Sequence, residues 1–318
     1  MEWLQTPPGW AMAVVILLAV AIDVALGEPP NRLHPVAWMG TAIGWGRQLG
    51  RRRNFRPAAA CAFGTLLVVI GVATMWAIGV VLSRLPWPLH AVVLTTCLGV
   101  RALSDAAALV AASLGRGELP VAREQVAYHL VSRDTSDATE AEVAAAVIAS
   151  VAENTCDSVV APLFWFVVGG LPAVLVYRFA NTADAMLGYR TPALKWLGKP
   201  AARLDDALNL IPARLSAAWM LLLHPSTRAT RTWWSDAGRT PSPCGGHPMS
   251  AAAGILGVRL AKPGVYVLGD HFREPGGRDI AAMRRIYWHT VAASVLLSAG
   301  CVLLAGGCLW NDMEGWAS

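Results

Sequence analysis

The sequence consists largely of long uncharged apolar runs separated by shorter polar segments. Residues 10–22, 57–83 and 290–309 contain no Asp, Glu, Lys or Arg. A helix needs about 20 consecutive apolar residues to cross the hydrocarbon core, because every backbone amide must find its partner inside the segment there. The pattern predicts spanning helices over 10–26, 57–83, 86–112 and 290–310.

One further apolar stretch, 158–177, is interrupted by Gly169-Gly170-Leu171-Pro172. This combination breaks helical hydrogen bonding, and irregular backbone at membrane depth is tolerated only where protein or a water-filled cavity lines it. We interpret the stretch as a re-entrant or half-inserted hairpin, which keeps the polar motifs on its two sides in one compartment. A simple fifth span is the competing interpretation. The run 208–223 contains Pro212 and Arg214, so we expect an interfacial or buried helix there.

The composition agrees with a protein that is surrounded partly by lipid. Of 318 residues, 55% are hydrophobic and 15% are charged, against about 25% charged in soluble domains. The predicted fold is all-α: a polytopic integral membrane protein with one membrane-embedded catalytic domain over 1–318. The first apolar run has no basic segment before it and no small-x-small cleavage site before Gly27, so we expect a retained helix rather than a signal peptide. None of the six cysteines forms C-x-x-C, and buried small side chains explain them better than zinc or disulfides.

Positive charge is distributed unevenly between the two ends of the predicted spans. The 27–56 loop carries six arginines against the single acid Glu28, whereas the chain ends carry only the acids Glu2, Asp312 and Glu314. Cytoplasmic loops of membrane proteins are enriched in Lys and Arg. We therefore expect 27–56, 113–157 and 178–289 to face the cytoplasm, with both termini outside the cell (inner) membrane and the active site on the cytoplasmic side.

A polar cluster follows the first predicted cytoplasmic helix. Thr139-Glu140-Ala141-Glu142 is a capping box, and apolar residues at helical spacing after it predict an amphipathic helix over 140–152. Glu153, Asn154 and Asp157 come next, and on a continued helix they share one face. Carboxylates at the edge of an apolar segment are costly unless they bind a cation or an arginine.

Two related clusters lie beyond the hairpin. Asn154-Thr155-Cys156-Asp157 recurs as Asn181-Thr182-Ala183-Asp184, and Arg203-Leu204-Asp205-Asp206 follows. Mg²⁺ prefers oxygen ligands and is usually held by one or two carboxylates together with substrate phosphates. Helix capping explains any one of these residues, but three clusters around one hairpin favour a Mg²⁺-phosphate site. Its cationic groups would come from the interleaved arginines Arg178, Arg190, Arg203 and Arg214.

Three further features of the sequence each allow more than one interpretation. His34, in a Pro-rich loop after Asp23, is either a structural residue or a general base or phosphate donor. Arg101 and Asp105 lie one helical turn apart in an apolar stretch. Either they form an ion pair that neutralises both charges, or Arg101 faces a substrate. The loop 242–248 leads into a small-residue helix whose N-terminus suits an anion, although no P-loop or Rossmann fingerprint is present.

With these motifs in place, the sequence resembles the adenosylcobinamide-phosphate synthase (cobinamide synthase) family of cobalamin biosynthesis over nearly its whole length. The late loop departs from the family pattern Ser-Pro-Asn-Ala-Gly-Trp-Pro, with Cys244, Gly245 and His247 at the Asn, Ala and Trp positions. This departure puts any role for those side chains in doubt. The matching stretches are Gly27-Glu28-Pro29, His34-Pro35-Val36, Arg133-Asp134-Thr135, Glu153-Asn154-Thr155 with Asp157, Ala161-Pro162-Leu163-Phe164-Trp165, Tyr177-Arg178, Asn181-Thr182, Asp184-Ala185-Met186, Gly188-Tyr189-Arg190, Ala202-Arg203-Leu204-Asp205-Asp206, Asn209 and Ile211-Pro212-Ala213-Arg214.

The resemblance implies an ATP- and Mg²⁺-dependent ligase that joins the corrinoid adenosylcobyric acid to aminopropanol or its O-phosphate through an amide bond. Expected partners are these substrates, the lipid bilayer and other membrane enzymes of the cobalamin pathway, and no nucleic acid. His34 would take the amine proton, and Arg178, Arg203 and Arg214 would hold phosphates. The remaining assignments concern metal and phosphate handling, with Glu153, Asp157 and Asp184 also counted as catalytic: Glu153, Asn154, Asp157, Asn181, Asp184, Asp205 and Asp206.

Two rival functions remain open from the sequence. An intramembrane prenyl- or phosphotransferase also uses Asn/Asp clusters with Mg²⁺, and it requires a prenyl-sized apolar groove and no ATP. A transporter would use the broken hairpin and Arg101 as a substrate path, and it predicts inverted repeats. In this chain only the short Asn-Thr-x-Asp tetrad repeats.

Overall fold

The computed structural model describes residues 8–30, 32, 34–53, 55–131, 134–188, 191 and 194–305. Helices dominate this part of the chain, with one short antiparallel hairpin that pairs Leu260 with Leu268. The elements in chain order are α1 (Gly9–Leu26), α2 (Pro35–Arg52), α3 (Pro57–Leu82), α4 (Trp87–Thr95), α5 (Val100–Gly115), α6 (Leu119–His129), α7 (Glu140–Thr155), a π-helical turn (Cys156–Val160), α8 (Ala161–Leu187), α9 (Lys199–Leu223), α10 (Thr227–Asp236), a 3-10 turn (Ala237–Arg239), α11 (Gly246–Leu256), β1 (Leu260–Lys262), β2 (Tyr266–Leu268) and α12 (Gly277–Leu304).

Among the described residues, six helical segments are long and apolar enough to cross a membrane. The all-α, multi-pass membrane class predicted from the hydropathy pattern is thereby confirmed. Four of the segments contain the cores of the predicted spans 10–26, 57–83, 86–112 and 290–310, although 306–310 lie outside the described residues. The six segments are Gly9–Leu26, Pro57–Leu82, Trp87–Gly115, Glu140–Leu187, Lys199–Leu223 and Gly277–Leu304.

The fifth of these segments, Lys199–Leu223, extends the helix predicted over residues 208–223. We expected an interfacial or buried helix there, but the helix begins at Lys199 and runs through Pro212 to Leu223. The full 25 residues contain an 18-residue window of mean hydropathy 1.2, which meets the length and polarity of a membrane span. Pro212 has no N–H to bond the Leu208 carbonyl four residues earlier, and the indole N–H of Trp165 donates to that oxygen instead, at 3.1 Å.

The described chain divides into two compact units. The first comprises Met1–Gly99, Ala161–Leu208 and Val295–Ser318, and the second comprises Val100–Val160 and Asn209–Ser294. The prediction of a single catalytic domain over 1–318 contained no such division.

In the first unit, α3 packs closely against α8 through Gly71 and Gly79, and against Leu197 after α8 through Gly64. A methyl group at Gly64 would meet the carbonyl oxygen of Leu197, one at Gly71 the ring of Phe179, and one at Gly79 the backbone of Pro172. Later residues of α3 thus meet earlier residues of α8, so the two segments run antiparallel. Small residues permit this approach where helices associate inside a membrane.

The interruption in α8 reverses the direction of the chain. Gly170 has φ 62° and ψ −149°, a conformation that glycine adopts without steric cost. The indole N–H of Trp165, before the break, donates to the Leu208 carbonyl at 3.1 Å. After the break, the Asn181 side-chain amide donates to Asp205, three residues from Leu208, at 3.4 Å. A straight helix would hold residues 165 and 181 about 24 Å apart, so these two bonds require the hairpin geometry that the Gly-Gly-Leu-Pro sequence indicated.

In the second unit, α7 lies at the centre and packs against α5, α6, α11 and β1. Its capping box forms as predicted: the Thr139 hydroxyl accepts from the Glu142 N–H at 3.2 Å, and the Glu142 carboxylate accepts from the Thr139 N–H at 2.8 Å. The predicted amphipathic character is wrong, because every residue from Val143 to Ala152 is buried. The small side chains of this segment allow neighbours to approach from all sides.

The fit between α3 and α8 leads to a stability prediction. Gly79→Ala should destabilise the protein by about 1–3 kcal/mol, because the new methyl would press on the Pro172 backbone, which cannot move aside without shifting α8. The midpoint of thermal unfolding of the purified protein in detergent measures the effect. Gly300→Ala on α12 is the matched control, since nothing lies within 4 Å of its added methyl. Equal midpoints for the two variants would contradict the proposed packing.

Candidate active site

The end of α8 and the start of α9 bring five of the predicted site residues together in the first unit. Arg178 Nη1 donates to Asn181 Oδ1 at 3.4 Å, and Asn181 Nδ2 donates to Asp205 Oδ1 at 3.4 Å. Asp184 lies one turn beyond Asn181, close enough to Asp206 for the two negative charges to interact. The result is a row of guanidinium, amide and carboxylate groups on two facing helices.

Asp184 and Asp206 fit a cation-binding role. Two carboxylates held near each other at the edge of an apolar segment repel, and a bound cation relieves this cost. Asp184 forms no ion pair within the described residues, and its carboxylate folds back over Gly188, where a methyl group would clash with it.

Arg178 occupies the interior of the same cluster. Its Nε atom is buried and has no hydrogen-bond partner among the described residues. Its positive charge acts on the His34 ring and on the Cys97 thiol, so α8, the α2 entry and the end of α4 meet around it. A half-buried guanidinium whose Nε–H has no partner among the described residues suits a phosphate oxygen. Arg203, on α9, is exposed.

His34 begins α2 and acts as its N-cap. Its Nδ1 accepts from the Val36 N–H at 3.1 Å, so the proton of the neutral ring lies on Nε2. Burial lowers the pKa of His34 below its usual 6.5; Glu28 opposes this effect and Arg178 adds to it. In this arrangement Nε2 can donate a hydrogen bond to a substrate. The predicted role of His34 as the base that takes the amine proton would require the other tautomer, in which Nε2 carries no proton.

The second unit holds the remaining predicted residues. Asn154 Nδ2 donates to the Ser150 carbonyl at 2.9 Å, and after Thr155 the backbone widens into the π turn that carries Asp157. Cys156 Sγ donates to Asn209 Oδ1 at 3.5 Å, which joins this turn to α9. A π turn shifts the helical register, so Asp157 departs from the simple i, i+4 relation with Glu153 that the sequence suggested, and such turns recur at functional sites.

The loop before α11 closes over Glu153. A methyl group at Gly245 would lie 2.5 Å from Glu153 Oε1. Two residues later, His247 Nδ1 accepts from the indole N–H of Trp233 at 3.0 Å. Arg214 carries its charge near this ring and uses Nη1 to bond the Leu210 carbonyl at 2.6 Å. Sequence reasoning missed Trp233 and left His247 without a role, because their pairing joins residues from α10 and α11.

Several predictions have partial or no structural outcome. Arg101 and Asp105 form an ion pair at 3.1 Å, with both side chains about half exposed, which agrees with the self-neutralising alternative. Arg133 and Arg190 lie outside the described residues. No group of three or more His, Cys, Asp or Glu side chains that could enclose a metal occurs within the described part of the chain. Mg²⁺ needs fewer protein ligands than that when phosphate and water complete its shell, so the carboxylate pair and amide of the first unit fit it chemically.

The fold and these clusters define an all-α, multi-pass membrane protein that gathers carboxylate, amide and guanidinium groups at its helix ends. The sequence profile of the CobD/Cbib protein family matches residues 16–295. The chain therefore belongs to the CobD/Cbib protein family of cobalamin biosynthesis, which confirms the resemblance seen in the motifs.

Individual relatives cover most of the chain. The probable cobalamin biosynthesis protein CobD of Methanothermobacter thermautotrophicus is 42% identical over 267 residues, covering 80% of this chain and 86% of the relative. The cobalamin biosynthesis protein CobD of Stutzerimonas stutzeri is 40% identical over 307 residues, covering 93% and 98%. That of Dehalococcoides mccartyi is 37% identical over 309 residues, covering 92% and 98%. No solved structure matches the chain.

The cap at His34 provides a test of its role. Asparagine is a good N-cap, whereas alanine is a poor one, so His34→Ala should lose about 1 kcal/mol of stability and His34→Asn much less. If the ring also contacts substrate through Nε2, both variants should lose activity while only His34→Ala loses stability. Thermal unfolding and turnover of the purified variants separate the two effects. Full activity in His34→Asn would restrict the residue to capping.

The lowered pKa of His34 also predicts a pH dependence of stability. The unfolded ring binds a proton near the usual 6.5, while the folded ring resists protonation. The stabilisation is therefore present above that value and is lost as the pH falls below it. The unfolding midpoint of the wild type should fall more steeply than that of His34→Asn from about pH 7 to about pH 5. Parallel slopes would exclude His34 as the titrating group.

Proposed function

We propose that the protein is an ATP-dependent amide ligase that joins a carboxyl group of adenosylcobyric acid to aminopropanol or its O-phosphate. Membership of a cobalamin biosynthesis family supports the corrinoid substrate. The observation that carries the reaction type is the hydrogen-bonded row Arg178–Asn181–Asp205, with Asp184 and Asp206 beside it. Such a donor set suits a nucleotide phosphate held with Mg²⁺.

The chemistry requires activation of a carboxylate, because oxide is not a leaving group. A carboxylate oxygen attacks the γ-phosphorus of ATP, the bond to the bridging oxygen breaks, and an acyl phosphate and ADP form. The amine nitrogen then attacks the acyl carbon, and inorganic phosphate leaves as the nitrogen gives up a proton. Each step moves negative charge on phosphate oxygens, which cationic groups must offset.

The residues of each unit have separate parts in this proposal. In the first unit, Arg178 would hold a phosphate through its free Nε–H, while Asp184, Asp205 and Asp206 would supply oxygen ligands for Mg²⁺. When bound, this ion would spread the charge of the transferring phosphoryl group. Asn181 fixes both its neighbours by donating to one and accepting from the other.

The second unit contributes Glu153, Asn154 and Asp157 for metal or phosphate handling, with Arg214 as a further cation. Ser150 holds the Asn154 amide in place through its carbonyl and hydroxyl oxygens. Arg203, exposed on α9, would meet a phosphate that approaches from solvent. The excess of arginine in the 27–56 loop supports a cytoplasmic orientation of the site in the inner membrane, where ATP is available.

A prenyl- or phosphotransferase is the second candidate, and one cavity bears on it. An apolar cavity of about 200 Å³ lies between α2, α3 and α8 in the first unit. Pockets for drug-sized ligands occupy about 300–1,000 Å³, so this cavity is small for a prenyl diphosphate. Its lining includes Met39, Ile43, Val68, Phe179 and Leu187.

Product analysis tests the proposed reaction directly. Purified protein with ATP, Mg²⁺, adenosylcobyric acid and aminopropanol should release ADP and give a corrinoid whose mass increases by the amine minus water. A parallel reaction with the O-phosphate identifies the preferred amine. The release of ADP must depend on the presence of both adenosylcobyric acid and the amine. Product formed without ATP, or a prenylated product, would refute the proposal.

Single carboxylate substitutions test the cation site. Asp184→Asn and Asp157→Asn should each lower ATP-dependent coupling about 100-fold or more, because the charge of one oxygen ligand is lost near the transferring group. Asp137→Asn, at an exposed position of the second unit, is the matched control and should retain activity. Folded variants that kept full coupling would remove these residues from the metal assignment.

A further inference from the structure

The imidazole of His247 is held in one protonation pattern by Trp233. An indole N–H can only donate, so the ring nitrogen that faces it must accept. That nitrogen is His247 Nδ1, at 3.0 Å from Trp233 Nε1. The neutral ring therefore carries its proton on Nε2, and this edge of the ring is a hydrogen-bond donor.

The surroundings of His247 favour the neutral ring. Burial lowers the pKa of His247 below its usual 6.5, and the positive charge of Arg214 lowers it further. Arg214 itself is exposed and gives one N–H to the Leu210 carbonyl. Its other donors engage no partner within the described residues. The charge of Arg214 acts on the His247 ring. Both groups can only donate, so a ligand that met both would be an acceptor, and the guanidinium favours one with negative charge.

The same loop is fitted to Glu153. Gly245, two residues before His247, approaches the Glu153 carboxylate so closely that a methyl group would lie 2.5 Å from Oε1. The Ser242 hydroxyl accepts from the Cys244 N–H at 3.1 Å and the Gly245 N–H at 3.5 Å, which fixes the loop in this position. The loop that carries His247 therefore lies against Glu153, a residue already proposed to hold Mg²⁺. A phosphate suits this place, because its oxygens can bind a metal and accept hydrogen bonds at once.

We infer that His247, oriented by Trp233, binds a phosphate ester of the ligase reaction by donating from Nε2, together with Arg214. The inference rests on the proposed function, and Trp233 is a positioning residue in it. The ester is either the nucleotide or the O-phosphate of the amino alcohol, since the two present the same oxygens. No covalent step involves the ring.

Binding measurements on the purified full chain in detergent separate this inference from the ligase proposal, because they need no turnover. Titration calorimetry with ADP plus Mg²⁺, with aminopropanol O-phosphate and with unphosphorylated aminopropanol gives three affinities. His247→Asn keeps an acceptor for Trp233 but does not reach the Nε2 position, and it should weaken binding of one of the two esters about ten-fold. The ester that weakens identifies the source of the phosphate.

Two further variants distinguish hydrogen bonding from packing. His247→Gln places an amide N–H near the Nε2 position, so its affinity should stay within about three-fold of the wild type. Trp233→Phe should weaken the same ester in the wild-type chain but cause no further loss in the His247→Gln chain. His271→Asn, on the exposed His271 beside Phe272, is the matched control and should bind as the wild type.

The outcomes are separate. Wild-type affinity in His247→Asn, or equal losses in His247→Asn and His247→Gln, would overturn the inference while leaving the ligase proposal intact. An equal effect of Trp233→Phe in both backgrounds would also overturn it. A wild type that binds neither ester would refute the phosphate chemistry of the proposed function as well. Loss of unphosphorylated aminopropanol binding in His247→Asn would assign the ring to the amine rather than to phosphate.

Discussion

The reversal of the chain at Gly169 and Gly170 is the constraint on which the first cluster depends. A helix that continued through this point would carry residue 181 about 24 Å beyond residue 165, yet both side chains reach the same turn of α9. The left-handed conformation of Gly170 makes the reversal possible without a Cβ clash. Close contact between α3 and the segment after the break then fixes its position, because the α3 glycines leave no room for other side chains.

The cost of burying polar groups explains the arrangement of the residues around Arg178, Asn181 and Asp205. Each carboxylate taken from water costs free energy unless a cation or hydrogen bonds replace the solvent. Arg178 and Asn181 provide this replacement for Asp205 in a single hydrogen-bonded row. Asp184 and Asp206 keep their mutual repulsion. Two neighbouring carboxylates that repel each other are suited to bind a cation together with phosphate.

The two histidines of interest share one arrangement. His34 accepts at Nδ1 from a backbone N–H, and His247 accepts at Nδ1 from an indole N–H. Burial lowers the pKa of both rings, so both are neutral donors at Nε2 near neutral pH. Neither is set up as a base in this state. The proton of the attacking amine would therefore pass to a carboxylate, to a phosphate oxygen of the leaving group or to solvent.

The all-α membrane class, the cores of the spans, the capping box at Thr139 and the break at Gly169-Gly170 could be predicted from the sequence, because each follows from local chemistry. Hydropathy reports the solvent of a segment, and capping or breaking of a helix depends on residues within four positions. The tertiary structure decided the full burial of α7, the extent of α9 and the π turn at Asp157. It also decided the pairing of Trp233 with His247 and the approach of Gly245 to Glu153. These features depend on which distant segments meet, and spacing along one helix carries no information about that.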